Sequence, residues 1–213
     1  MRKFCLTIIV LAGFSKALFA QFGNCTASEM QTYTDRETGN TITILTDTLK
    51  NDRFLYQTDP MWTHDGKYLL FRSSSRANDK KIERTLPNGE KRSWTPTQIY
   101  FIEMATGQII QATEGPDLGS AFLANKSNRM FISRKEKEDW NMYVMDLDKF
   151  FADVKKGKVG KPTAYETLLG TFPTSMGRPG GYAIDCNDDY AYITVEREGT
   201  EEEKERMAKN AFL

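Results

Sequence analysis

Residues 59–73, DPMWTHDGKYLLFRS, and residues 97–116, TQIYFIEMATGQIIQATEGP, decide the fold. In the first stretch a turn at His64-Asp65-Gly66 leads into an apolar strand over 67–73. In the second, a strand over 98–104 is followed by a tight turn at Ala105-Thr106-Gly107 and a further strand over 108–113. Short runs rich in Tyr, Phe, Ile and Leu, punctuated by Asp-Gly and Thr-Gly, are hairpin chemistry, because glycine supplies the positive φ that tight turns need. Together the two stretches describe one antiparallel blade of a β-propeller with a long internal loop. A blade cannot stand alone, so neighbours are expected in the same chain.

Trp62, Phe122 and Tyr182 open similar segments sixty residues apart, at 62, 122 and 182. After Phe122 come a polar turn at 125–128, a strand over 129–134 and another over 141–147. After Tyr182 come a turn at Asn187-Asp188-Asp189 and a strand over 190–196, before the chain runs into EREGTEEEKERMAKNAFL. Near the N-terminus, residues 35–48 (DRETGNTITILTDT) match residues 103–116 (EMATGQIIQATEGP): a strand end, a Thr-Gly turn and a final strand. Propellers commonly close by letting an N-terminal strand complete the last blade, which protects the sheet edges. The expected class is all-β: a partial, open β-propeller of antiparallel blades, the N-terminal portion of a longer one, truncated or naturally short. The expected organisation is a closing strand near 30–50, a first blade over 51–116, a second over 117–170 and the start of a third over 171–213. The remaining, C-terminal blades are then missing.

Lys+Arg and Asp+Glu balance at 29 each, so no bulk charge draws this chain to nucleic acid, and no nucleic-acid-binding motif is present. Residues 1–20, MRKFCLTIIVLAGFSKALFA, read as a secretory signal peptide: Arg2 and Lys3, an apolar run over 4–14, and Ala20 before a cut. The apolar run is short for a membrane span, and no later stretch is long enough to cross one. A periplasmic or secreted protein, with no membrane attachment after cleavage, is the expectation. Cys5 would leave with the leader. Cys25 and Cys186 would remain, and a disulfide or two thiols are both chemically allowed. No G-x-S-x-G, H-E-x-x-H, Walker or dinucleotide fingerprint occurs, which argues against those chemistries in this segment.

PMWTHDGKYLLF followed by QIYFIEMATGQIIQATEG resembles the repeat of Tol-type and WD-repeat-like β-propellers. TDRETGNTITILTDTLKNDRFLYQTDPMWTHDGKYLLFRSSSR is similar to the opening of proteins in the oligogalacturonate lyase family, and the likeness runs over roughly residues 30–200. The resemblance implies a seven-bladed propeller acting on pectin fragments, an acidic oligosaccharide substrate and β-elimination. It also implies a divalent metal, such as manganese, on a His cluster with a Gln, and a further His as base. His64 is the single histidine, so that cluster has no counterpart in these residues. The resemblance therefore implies no metal site in this chain, a metal only in the complete protein, and little activity from this chain by itself. A non-catalytic Tol-type binding propeller and the propeller gate of a peptidase remain open beside the lyase reading.

Several side chains are candidates for substrate contact. The loop over 73–94 is basic, with Arg72 at its entry and Arg76, Lys80, Lys81, Arg84, Lys91 and Arg92 within it; Asp79, Glu83 and Glu90 lie among them. Loops between second and third strands share the ligand-bearing face of a propeller with the inter-blade connections, and Arg forks pair with carboxylates. A solvated surface loop is the alternative. The connection NDRFLYQTDP (51–60) should reach the same face, where Arg53, Tyr56 and Gln57 could meet a sugar; Phe54 and Tyr56 could equally be core. In TSMGRPGGY (174–182), glycines permit close backbone approach and Arg178 is the best single candidate for a carboxylate. His64 reads as a turn residue, Trp62 and Trp140 as packing between blades, and 150–162 as a short helical turn followed by a basic loop. Residues 201–211 read as an exposed loop insertion.

Overall fold

The computed structural model describes residues 22–77, 81–85, 89–115, 118–137, 139–172 and 178–196, without the side chains of Arg84, 178–181 and 195–196. The leader and residues 201–211 lie outside the described residues. The strands in chain order are β1 (Cys25–Thr26), β2 (Gln31–Thr34), β3 (Thr41–Ile44), β4 (Asp52–Arg53), β5 (Tyr68–Ser73), β6 (Ile82–Thr85), β7 (Lys91–Trp94) and β8 (Gln98–Glu103). They continue with β9 (Ile109–Gln111), β10 (Leu118–Leu123), β11 (Arg129–Glu136) and β12 (Asp139–Asp146). Helix α1 (Leu147–Lys155) and a 3-10 turn (Pro162–Ala164) precede β13 (Glu166–Phe172), β14 (Arg178–Ile184) and β15 (Ala191–Glu196).

Every pairing among these strands is antiparallel. One sheet runs β1-β9-β8-β5-β4, a second β10-β11-β12-β13, and β14-β15 begins another. No closed ring is present among the described residues. The hairpin β2-β3 stands apart from the first sheet. Its turn repeats that of β8–β9: Gly39 N donates to Asp35 O as Gly107 N donates to Glu103 O, and both glycines have φ of +72°.

The first sheet is buried on both faces, which is why YLLF and IYFI read as continuous apolar runs rather than alternating ones. Tyr68, Leu70, Ile99, Phe101 and Ile110 face Ala121, Leu123, Met130, Ile132 and Met145 of the second sheet in one shared core. Phe71, Tyr100, Ile102 and Ile109 fill the other face, with Leu45 packed against them. Residues 150–162, expected as a short helical turn followed by a basic loop, carry the end of a nine-residue helix that starts earlier, at Leu147, and then a mostly exposed basic stretch. Asp146 caps it by accepting from Lys149 N (2.9 Å), and Leu147, Phe150, Phe151 and Val154 form a buried stripe at helical spacing. Phe151 stacks on Tyr68 with 3.6 Å between ring centroids, so the helix seals the seam between the sheets.

The structure corrects the repeat length. Thr63 N donates to Tyr68 O, Ala124 N to Arg129 O and Asp185 N to Tyr190 O, so equivalent turns lie at 63, 124 and 185, 61 residues apart. The counterpart of Trp62, which bridges Leu69, is thus Leu123 opposite Met130 rather than Phe122. One residue matters because a slip of one turns a side chain to the opposite face. Trp62 is 47% exposed and does not seal a seam, whereas Leu123 is buried.

These turns are tied to one another. His64 Nδ1–H donates to Asn125 O (2.9 Å), and Asp65 N donates to Asn128 Oδ1 (3.2 Å). Across the next seam, the buried Asp188 carboxylate accepts from Asn125 N (2.6 Å), Lys126 N (2.8 Å) and Ser127 Oγ (3.0 Å). Burial opposes ionisation of Asp188, but the two backbone donors and the hydroxyl outweigh it and hold its carboxyl below the usual aspartate value.

Candidate functional site

The loop over 73–94 is the second correction. It folds back as the hairpin β6–β7, in the register Ile82↔Trp94, Glu83↔Ser93, Arg84↔Arg92 and Thr85↔Lys91. Gly89, at φ +82°, lies in its connection. The end of β7 therefore arrives beside β4, the 54–59 segment and the start of β10. These elements enclose an open cavity of about 630 Å³.

Arg53, Tyr56, Arg72 and Trp94 line this cavity, along with Asp59 and Phe122. Arg53 and Arg72 are directly opposite each other in the β4–β5 pairing, and both are exposed. Like charges facing each other across a strand pair are destabilising unless something between them is negative. Tyr56 is 67% exposed and Trp94 is 38% exposed, so two aromatic surfaces border the guanidinium pair. Neither Tyr56 nor Phe54 is core. At the cavity edge, Asn51 holds the strand exit by donating from Nδ2 to Ser74 Oγ (2.8 Å) and from its backbone N to Ser75 Oγ (2.8 Å). Chemically, the arrangement can take a carboxylate between two forks with a ring face alongside.

The other candidates are placed elsewhere. Gln57 is exposed and is not on the cavity wall. Arg178 opens β14, opposite Glu196, but its side chain lies outside the described residues, as does Lys80. Arg76 is corrected: it is a structural residue. Its guanidinium donates to Glu29 at 2.8 and 2.6 Å and to Asp52 at 2.9 and 2.6 Å, and its side chain is only 6% exposed. Bonding to Arg76 pulls the Glu29 carboxyl from 4.5 down to about 2 against the opposing effect of burial. Burial would lower the Arg76 pKa, but its two carboxylate partners outweigh that and raise it. The trio fastens the N-terminal segment to the first sheet. Trp94 was not singled out as a ligand residue from the sequence; its signal is an aromatic closing a basic run, KRSWTPT.

Among the described residues no three His, Cys, Asp or Glu side chains converge to hold a metal, and His64 is engaged by Asn125. Cys25 and Cys186 are both exposed and free, which closes the disulfide alternative. Among the described residues no helix is long and apolar enough to cross a membrane.

Antiparallel four- and five-stranded sheets packed face to face, joined turn to turn, are the architecture of propeller blades. The fold is similar to that of an oligogalacturonate lyase solved in complex with manganese, with a TM-score of 0.54 and 19% identity over 79% of this chain and 36% of that one. It is likewise similar to oligogalacturonate lyase from Vibrio parahaemolyticus, with a TM-score of 0.53 and 20% identity over 78% and 35% of the two chains. The resemblance drawn from the sequence therefore holds at the level of fold. The chain spans about a third of the length of these structures. No family profile matches the sequence, and no curated protein does.

Proposed function

We propose that this chain is the N-terminal, substrate-holding part of an exported seven-bladed propeller that cleaves uronate oligosaccharides by β-elimination when complete. One observation carries the reading: two exposed arginines face each other across a strand pair on the wall of a cavity bordered by Tyr56 and Trp94. The lyase neighbours support the same substrate class, and the leader-like residues 1–20 support export. In the elimination, a base removes the proton beside the uronate carboxylate. The glycosidic C–O bond at C4 then breaks, and a C4–C5 double bond forms. Arg53 and Arg72 hold the carboxylate, which stabilises the negative charge that builds up as the proton leaves. Base and metal ligands are assigned to sequence beyond this chain. Such a metal would neutralise the carboxylate further.

The test is absorbance of the unsaturated product on oligogalacturonate. The 213-residue chain is expected to give none, and the protein extended by its downstream blades to give it. In the extended protein, Arg53→Ala and Arg72→Ala should each cut turnover at least ten-fold, since a lost charge-assisted hydrogen bond is worth about 1.5–3 kcal/mol. Uronate binding with no elimination in the extended protein would select a non-catalytic binding propeller instead.

A further inference from the structure

The described residues hold two half-blades, one on either side of two whole ones. The turns at 63, 124 and 185 each join the first strand of a blade to its second, so β14–β15 supplies strands one and two of a third blade. The hairpin β2–β3 repeats the turn of β8–β9, which are strands three and four of the first blade. One half-blade therefore lacks what the other supplies. Within one chain they cannot meet, because joining them would close a ring of three blades, fewer than propellers use.

Both ends of the arc are apolar where a neighbour belongs. Tyr182 and Ile193 are opposite each other and turn toward the second sheet, where Tyr182 meets Phe122. Alternation sends Tyr190 and Tyr192 to the other side, where they are 66% and 58% exposed with their rings 6.5 Å apart. At the far end, Leu69 alternates with Tyr68 and Leu70 of the shared core, so Leu69 and the Trp62 that bridges it look outward from that core. In β2, Tyr33 is half exposed opposite Ile42. Neither β2 (QTYT) nor residues 191–194 (AYIT) carry a charge, so these edges lack the usual protection against pairing with another chain.

The first blade gives the register in which the halves would join. There Leu70 of strand two is opposite Phe101 of strand three. Leu70 lies seven residues after Thr63, as Tyr192 does after Asp185; Phe101 lies six before Gly107, as Tyr33 does before Gly39. Joined in that register, β15 and β2 set Tyr192 opposite Tyr33, an aromatic pair of the kind that stabilises neighbouring strands.

We infer that a second copy of this chain fills both ends. The β2–β3 hairpin of each copy completes the β14–β15 half-blade of the other, with Tyr192 opposite the partner's Tyr33. Each chain holds two whole blades and two halves, so two copies close a two-fold ring of six. Three copies would give nine, more than propellers commonly hold. The completed blade lays Tyr190 and Tyr192 against the face that carries the partner's Trp62. This goes beyond the uronate reading and does not rest on it. Downstream blades would take the same edges in cis, and the second copy takes them when the 213-residue chain stands by itself.

The test is the mass of the 213-residue chain by light scattering across a dilution series. A single species of twice the chain mass is expected. Tyr33→Lys/Tyr192→Lys sets like charges opposite each other at both junctions and should weaken the dimer about hundred-fold. Tyr33→Glu/Tyr192→Lys sets opposite charges there and should restore it. All three tyrosines are exposed in the single chain, so an unchanged far-UV circular dichroism spectrum reports an intact fold. In the wild type, dilution through the dissociation should speed amide exchange at 31–34 and 191–194 together. A monomer at tens of micromolar, an open series of larger masses, or a dimer indifferent to the Lys–Lys variant overturns the inference. So does a Glu–Lys variant that stays monomeric, or exchange at 31–34 and 191–194 that dilution leaves unchanged.

Discussion

Replacing Arg76 by glutamine removes the cation that bonds two carboxylates at once. Asp52 is 9% exposed and Glu29 is 24% exposed at the side chain, and together they receive four hydrogen bonds of 2.6–2.9 Å from one fork. The depression of Glu29 from 4.5 to about 2, caused mainly by Arg76 with smaller help from the Asp47 amide and Lys50, corresponds to at most roughly 3 kcal/mol taken at face value. Solvent screening of a partly exposed carboxylate reduces this to about 2 kcal/mol. Leaving Asp52 nearly buried without its partner adds to the loss, so Arg76→Gln should cost about 3 kcal/mol at pH 7. The sign of the pH dependence follows from the direction of the shift. A carboxyl whose pKa is lowered on folding contributes fully above its unfolded value of 4.5, and the contribution fades as pH falls from there toward 2. Urea titrations followed by tryptophan fluorescence should therefore show a constant gap between wild type and variant from pH 7 to pH 5, narrowing below 4.5. A gap under about 0.5 kcal/mol at pH 7, or one that does not narrow in acid, would refute the reasoning.

Three other substitutions test the seams. Phe151→Ala empties the stack on Tyr68 and the edge contact with Phe101, and should cost about 3–5 kcal/mol in the same titration. Asp188→Asn leaves the Asn125 and Lys126 amides with a neutral acceptor and should cost about 1.5–3 kcal/mol. Because the Asp188 carboxyl is held below 3.8, wild type and this variant should converge only below that pH, with the loss seen first as faster amide exchange at 125–126. His64→Ala removes one exposed hydrogen bond to Asn125 O and should cost about 1 kcal/mol while leaving uronate affinity unchanged.

The fold was legible where local chemistry and tertiary demand agree. Asp-Gly and Thr-Gly turns between apolar runs mark β5, β8 and β9 directly, and the matched turns at Gly39 and Gly107 share one hydrogen-bond pattern. The repeat was misread by one residue because aromatic identity was matched instead of turn position: Phe122 and Tyr182 touch each other at 5.5 Å, but they are not equivalent. The hairpin β6–β7 was read as loop because its residues are polar, although Asn88-Gly89 is a hairpin signal. Helix α1 was underread because its apolar stripe occupies barely two turns. Of the cavity residues, Arg53 and Tyr56 follow from their place in an inter-blade segment, and Arg72 from its place at the entry of the basic loop over 73–94. Arg76 looked the same in sequence, and only its distance to Glu29, 47 residues away, shows that its charge is spent on the fold. Trp94 becomes visible only when β7 folds back onto the cavity.

The most direct measurement is a side-chain chemical-shift titration of the chain with trigalacturonate, run beside neutral galactotriose. The account expects the Arg53 and Arg72 guanidinium signals and the Trp94 indole to move with the uronate and stay still with the neutral sugar. Movement confined to other surfaces, or the same movement with both sugars, would contradict the claim that this cavity recognises carboxylates.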